Sequence, residues 1–290
     1  MAVSWWDFLL QPAGFDIGET GVLSFDASHP LWQAFLVGLG NTLRVSLPAL
    51  LLATLLGLLL AWARVAGPPG WRQASMGFVG LVRNVPPLLQ LLIWYFLLIE
   101  WLPDSTQAWS WGVGLWLSKG GLSFPWWQAV EGSDALQWQV PVQGTFNVVG
   151  GAAVTPEFLA VCLALSVYTA AFLAEVFRAG IESVSPSLLE AADTLGATPW
   201  QQWRLVLIPQ ALRAVVPPTT NQYLNLIKNS SLAVAVGYPD LVSVSNTALN
   251  QSGRALECVG IMMAVYLLLS LLTSAGMNAF NARQARKGVA

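Results

Sequence analysis

The chain has 290 residues, of which 55% are hydrophobic and only 10% charged, with 13 basic residues set against 15 acidic ones. That balance belongs to a polytopic membrane protein; it excludes an ordinary soluble globular chain and leaves no basic surplus for nucleic acid. With the bilayer as solvent, every backbone polar group in the hydrocarbon must be satisfied within its own helix, so a crossing needs about 20 predominantly apolar residues.

Residues 1–34 read as an external segment. Trp5-Trp6-Asp7-Phe8-Leu9-Leu10 is short, has no basic residue before it and is interrupted by an acid, which fits an interfacial amphipathic stretch better than a cleavable signal. Apolar stretches long enough to cross then appear at about 35–63, 85–102, 158–179 and 259–280. A further one, 211–236, is more polar and carries Pro217-Pro218, Asn221, Asn225 and Lys228. The expected fold is therefore all-α, with five membrane helices in a domain over 35–281 and a tail at 282–290. Cys162 and Cys258 fall in or beside these stretches and read as packing residues. His29 is isolated and reads as a surface residue.

Basic residues are enriched on cytoplasmic flanks, and their placement orients the chain. Residues 1–43 contain acids but no Lys or Arg, so the N-terminus is expected outside. Arg64, Arg72 and Arg83 mark an inner loop, and Arg283, Arg286 and Lys287 place the C-terminus in the cytoplasm. Between the second and third stretches, Asp104, Glu131, Asp134 and Glu157 stand against a single Lys119, so this segment with its 104–155 insertion is expected outside. Its Trp109, Trp111, Trp116, Trp126, Trp127 and Trp138 suit either a re-entrant or surface-lying cap over the outer mouth or an aromatic belt on lipid headgroups.

Between the third and fourth stretches lies a polar interlude, 182–209. Ser185 is a good N-cap, Pro186 fits the first helical position, and Gly196 suits a left-handed stop after Leu188, Leu189, Ala192 and Leu195. Thr198-Pro199 repeats the start signal for a second helix through Trp200, Trp203 and Leu207. The expected element is a cytoplasmic helix-turn-helix. Ala191 and Ala192 let a partner approach closely, Gly196 allows a tight bend, and Glu190 offers a carboxylate; a plain connector between crossings is the alternative.

Glu190-Ala191-Ala192, Gly196 and Ile208-Pro209 resemble the EAA signature of ABC-importer permease subunits, in which a coupling helix sits in a cleft of the ATP-hydrolysing subunit. The run Pro209-Gln210-Ala211-Leu212-Arg213, Pro217-Pro218, Asn221, Lys228, Ser230-Ser231-Leu232 is similar to the polar and basic amino-acid branch of that family, as is Leu81-Val82-Arg83-Asn84-Val85-Pro86-Pro87 with Gln90, and the long 104–155 insertion resembles the general L-amino-acid subgroup. The sequence departs at Asp193-Thr194, where many relatives carry a basic residue, and at Asn229, where an acid is common. The resemblance implies a type I importer in a bacterial inner membrane. Its parts would be two permease subunits, two cytoplasmic ATPases that bind ATP and Mg, and an external solute-binding protein delivering an amino acid. Glu190, Ala191, Ala192, Leu195 and Gly196 would contact the ATPase. The unusual insertion favours a heterodimer of similar permeases over a homodimer. No GxxxxGK[ST] run occurs in the chain, so it is expected to hold no cofactor and no ATP site of its own.

Polar residues in crossings are costly in lipid and mark a solute path. Tyr168 and Glu175 share a helix face, as do Arg83 and Gln90; Asn221, Asn225 and Lys228 share a third, and the three faces are expected to converge. Lys228 suits a substrate carboxylate and Glu175 an ammonium; pairing of Glu175 with a nearby base is the alternative. Prolines 48, 86, 87, 209, 217 and 218 mark hinges or fixed kinks. An ion-gradient transporter is the other transport reading, without a visible internal repeat to support it. An intramembrane enzyme lacks a catalytic set.

Overall fold

A computed structural model describes residues 6–21, 23–129 and 136–287, with the backbone only for residues 129, 280 and 283–287. Trp5, Glu131 and Asp134 lie outside the described residues, as do the side chains of Arg283, Arg286 and Lys287. The helices in chain order are α1 (Leu31–Val65), α2 (Pro69–Asn84), α3 (Pro87–Trp101), α4 (Pro156–Glu182) and α5 (Pro186–Thr194). They continue with α6 (Pro199–Gln201), α7 (Ile208–Asn229), α8 (Leu241–Ser252) and α9 (Ala255–Lys287).

Small residues bring the helices together. Along α1 the buried positions Gly38, Thr42, Ser46, Ala49, Ala53, Gly57 and Ala61 recur at steps of three or four, forming a narrow face against the alanine-rich face of α4. A Cβ on Gly57 would stand 2.8 Å from that of Leu173, and one on Gly38 would stand 3.0 Å from the Leu241 backbone of α8, so larger residues would force the helices apart. Arg44 of α1 lies over the ring of Phe158 at the start of α4, 5.4 Å from its centroid, while Arg64 near the end of α1 pairs with Glu175 toward the end of α4. The two helices therefore run parallel. Gly180, near the end of α4, meets Ala211 and Val215 at the start of α7, so α7 returns antiparallel to α4.

Among the described residues, three helices are long and apolar enough to cross a membrane: α1, α4 and α9 as far as Ala279. The pair α2 and α3 makes a fourth if counted as one broken crossing, bent by 107°. The expected crossings at 85–102 and 211–236 correspond to α3, only 15 residues long, and to α7, whose polar face keeps its hydropathy low. The expected inner loop at 64–84 is largely helix. Only Ser75, Val79 and Val82 of α2 are buried, a stripe too narrow to stand out in a sequence rich in glycine and polar residues.

Most of the chain is helical as expected, but the 104–155 insertion, within an expected all-α fold, forms β structure. Strands β1 (Trp109–Ser110), β2 (Trp116–Ser118), β3 (Gly121–Phe124), β4 (Trp126–Ala129), β5 (Leu136–Gln139), β6 (Val142–Gln143), β7 (Val148–Val149) and β8 (Ala152–Val154) follow one another. An antiparallel sheet has the order β1-β2-β3-β8, beside the hairpins β4-β5 and β6-β7. Aromatic and β-branched residues separated by Gly120-Gly121 and Gly150-Gly151 favour short strands and turns. Trp116 is tucked in, its indole N–H donating to the Pro141 carbonyl at 3.0 Å, while Trp127 and Trp138 pair edge-to-face across β4 and β5. β8 leads straight into Thr155, the N-cap of α4.

The N-terminal segment docks on the same end. Phe8, Ala13 and Ile17 are buried with Leu31, Ala34 and Phe35 of α1 and Val244 and Ala248 of α8, so the expected interfacial stretch is anchored by Phe8 while Leu10 stays exposed. Glu19 joins three parts: its carboxylate accepts from Arg44 at 2.5 Å and from Thr155 at 2.9 Å, and its carbonyl accepts from Asn41. Cys162 and Cys258 are both buried.

Candidate functional site

The 182–209 interlude forms at the opposite end of the bundle. Helix α5 contains no buried residue. Its start differs from expectation: the Ser185 hydroxyl pairs with that of Ser187 at 2.7 Å and caps nothing. Its end matches the cap chemistry. Gly196 takes φ +76°, its N–H donates to the Asp193 carbonyl, and the Ala197 N–H donates to Ala192, the paired bonds of a Schellman stop. Thr198 and Gln201 form a reciprocal capping box on α6.

The second expected helix is not a separate unit. α6 passes into a π-helical turn, Gln202–Leu207, and then directly into α7. Pro209 explains the register change: an ordinary α-turn would drive its ring against the carbonyl four residues back, and the wider π-turn relieves that clash. The loop is thus one capped helix, a tight turn, and a long helix that enters the bundle. Gln202 laces the parts together, donating to the Asp193 carboxylate at 3.2 Å and to the Ala197 carbonyl at 3.1 Å. Sequence reasoning singled out neither role; Asp193 entered only as a departure from a motif.

What this end presents is an apolar, preorganised knob. Leu195 is 87% exposed, Trp200 65% and Leu205 68%, while Glu190, Ala191 and Gly196 lie open and Ala192 is half-buried. Large apolar residues held on an exposed element mark a surface that meets a protein or a membrane.

The polar residues assigned to a solute path are brought together in part: Arg83, from the Gln90 face, lies 3.7 Å from Glu175 and 5.1 Å from the centroid of Phe172, the ring beside Tyr168. Gln90 is buried, and its amide N–H groups donate to the carbonyls of Val82 at 2.7 Å and Val85 at 2.8 Å, so it satisfies the backbone freed at the bend between α2 and α3. Glu175 is engaged by Arg64, by Arg178 at 3.0 Å and by Arg83 at 3.7 Å, and Arg178 also pairs with Glu182. Its carboxylate thereby ties α1, α2 and α4 together, the pairing with a nearby base that stood as the alternative to a substrate ammonium. Tyr168 is half-buried and packs on Phe172, with ring centroids 4.9 Å apart.

The α7 residues behave differently. Gln210, Arg213, Pro217, Asn221, Asn225 and Lys228 are all exposed and recur at steps of three or four, so they form one polar stripe along about 27 Å of helix. Ala211, Val215, Thr219 and Leu226 on the other side are buried. A polar stripe of that length is not stable against lipid. Lys228 lines an open cavity with Ser231, Val242, Met262 and Tyr266.

Residues 53–287 match the model of a family described as binding-protein-dependent transport system inner membrane component. The chain belongs to this family. This permease component is 38% identical to the general L-amino acid transport system permease protein AapQ of Rhizobium johnstonii, over 96% of the chain and 83% of the relative. It is 37% identical to the putative amino-acid ABC transporter permease protein YhdX of Escherichia coli, over 95% and 84%. Its fold matches a chain in the crystal structure of an amino acid ABC transporter with histidines, with a TM-score of 0.63 at 24% identity, covering 87% of this chain and 94% of the other. The permease is thus a transport component of the inner membrane.

Proposed function

We propose that this permease carries amino acids inward as part of an ATP-driven importer, with the α5 loop as the contact through which a separate ATPase moves the bundle. The observation that carries the reading is the exposed α5 knob, closed at its C-terminal end by the Gly196 stop, with Glu190, Ala191, Ala192, Leu195 and Gly196 on its surface. The substrate class follows the names of the relatives, and the family assignment leaves the ion-gradient alternative without support. ATP and Mg belong to the partner ATPase, because the chain has no P-loop. The α5 end faces the cytoplasm, and the N-terminal segment with the β region faces outward toward a solute-binding protein. Closure of the ATPases would favour one of two bundle arrangements, a ligand-driven shift between states.

The α7 stripe is the part of the path this chain supplies. Asn221, Asn225 and Lys228 face outward from the subunit, so a second permease chain, a similar one forming a heterodimer, completes the path across them. Two variants test the reading in the reconstituted importer. Glu190→Lys inserts normally but loses substrate-stimulated ATP hydrolysis and uptake together; normal coupling in that variant would sink the docking role. Lys228→Gln keeps subunit assembly and basal ATP hydrolysis but lowers amino-acid uptake, and unchanged uptake would remove the stripe from the path.

A further inference from the structure

Where α4 ends and α7 begins, the surface holds a cavity of about 250 Å³. Leu58 of α1, Phe177 and Ile181 of α4, and Trp203, Leu207 and Leu212 of the π-turn and α7 are among the residues that line it. The lining is apolar apart from the indole N–H of Trp203, which has no hydrogen-bond partner among the described residues. So apolar a lining offers water few partners, and the cavity is smaller than the roughly 300–1,000 Å³ of a drug-sized ligand site.

Its position defines its occupant. Leu58 stands six residues, about 9 Å, before Arg64 along α1, and Phe177 and Ile181 bracket Arg178. The cavity therefore straddles the level at which two apolar crossings give way to arginines, the boundary between hydrocarbon and headgroups. Arg204 lies four residues before Ile208, another lining residue, and is exposed with no acidic partner among the described residues. Arg64, Arg83 and Arg178, by contrast, are engaged by Glu175 or Glu182.

We propose that this cavity holds one acyl chain of an anionic phospholipid, whose headgroup meets Arg204. Its walls come from α1, α4 and the π-turn, so a bound chain braces the joint through which the α5 loop is attached to the bundle. No bond is made or broken; the complementarity is apolar contact plus one charge pair.

The test uses the whole transporter in nanodiscs containing phosphatidylglycerol with a photoactivatable diazirine in its acyl chain, followed by peptide mapping of the label. The expected result is labelling of peptides around Ile181 and Leu207 to Leu212 severalfold above the exposed leucines of α1 that lie outside the cavity, such as Leu47 and Leu51. Phosphatidylcholine with the same probe labels these peptides less, and Arg204→Glu lowers the phosphatidylglycerol signal to that level. Leu212→Trp, or Ile208→Trp if the first variant does not assemble, fills the cavity and removes the signal while the melting temperature is kept. Labelling no stronger than on the α1 leucines, or undiminished in the filled variant, overturns the proposal. So does a protein crosslink showing a second permease chain in the cavity.

Discussion

Three arginines share the Glu175 carboxylate, and that arrangement decides what the residue does. A lone carboxylate in a crossing invites a role in reading substrate, but here each oxygen is already committed to a guanidinium. Glu175→Gln removes the shared negative charge and one of the two acceptor oxygens, and leaves arginines facing one another. We expect a loss of about 2 kcal/mol, the scale of a charge-assisted hydrogen bond, seen as a lower melting temperature in detergent. Uptake of cationic, neutral and anionic amino acids should fall by the same factor. A selective loss of arginine or lysine uptake would restore Glu175 to the path. The sequence supplied the face shared by Tyr168 and Glu175, but the partners of Glu175 come from 111 and 92 positions away in Arg64 and Arg83, and no spacing rule reaches that far.

At the scale of elements, the bend between α2 and α3 depends on a side chain acting as backbone. Pro86 and Pro87 lack N–H groups, so the carbonyls at the end of α2 have no continuing helix to bond them. Gln90 supplies the missing donors. Gln90→Leu keeps the volume but strips the Val85 carbonyl of its side-chain donor and leaves Val82 only the long 3.4 Å bond from the Val85 N–H, and should cost about 2 kcal/mol, read as a lower midpoint of thermal unfolding; Gln90→Asn, too short to reach, should behave alike. Stability equal to the parent in both variants would show that water serves those carbonyls. The caps at Gly196 and Thr198 were legible because capping is local chemistry. The π-turn was not: Pro209 signals a break, and only continuity with α7 decides between a break and a widened turn.

At the scale of the whole molecule, Asp240 joins distant parts. It caps α8 through the Ser243 N–H at 2.9 Å, faces the Tyr266 hydroxyl of α9 at 3.4 Å, and follows Pro239, whose carbonyl accepts from Asn41 of α1. Burial pushes its carboxyl up from 3.8 to about 6. The fold thus prefers the neutral acid, and this contribution is full below the unfolded value near 3.8 and is lost as pH rises through about 6. We expect stability to fall by on the order of 1 kcal/mol between about pH 5 and pH 7.5 from this group alone. Asp240→Asn should flatten that slope, as followed by melting temperature against pH; an unchanged slope would assign it to other groups.

The sequence by itself determined that the chain lives in a membrane, where its long apolar crossings lie, and that a capped polar element interrupts them. Those features rest on hydropathy, cap residues and charge bias, which act over a few turns of chain. The tertiary structure decided which polar residues are spent on structure and which remain open. Burial and pairing join positions far apart: Gln90 and Glu175 were consumed by the bundle, while Asn221, Asn225 and Lys228 were left on an outward face. It also decided the β form of the insertion, because strands become stable only when partners as distant as β3 and β8 meet.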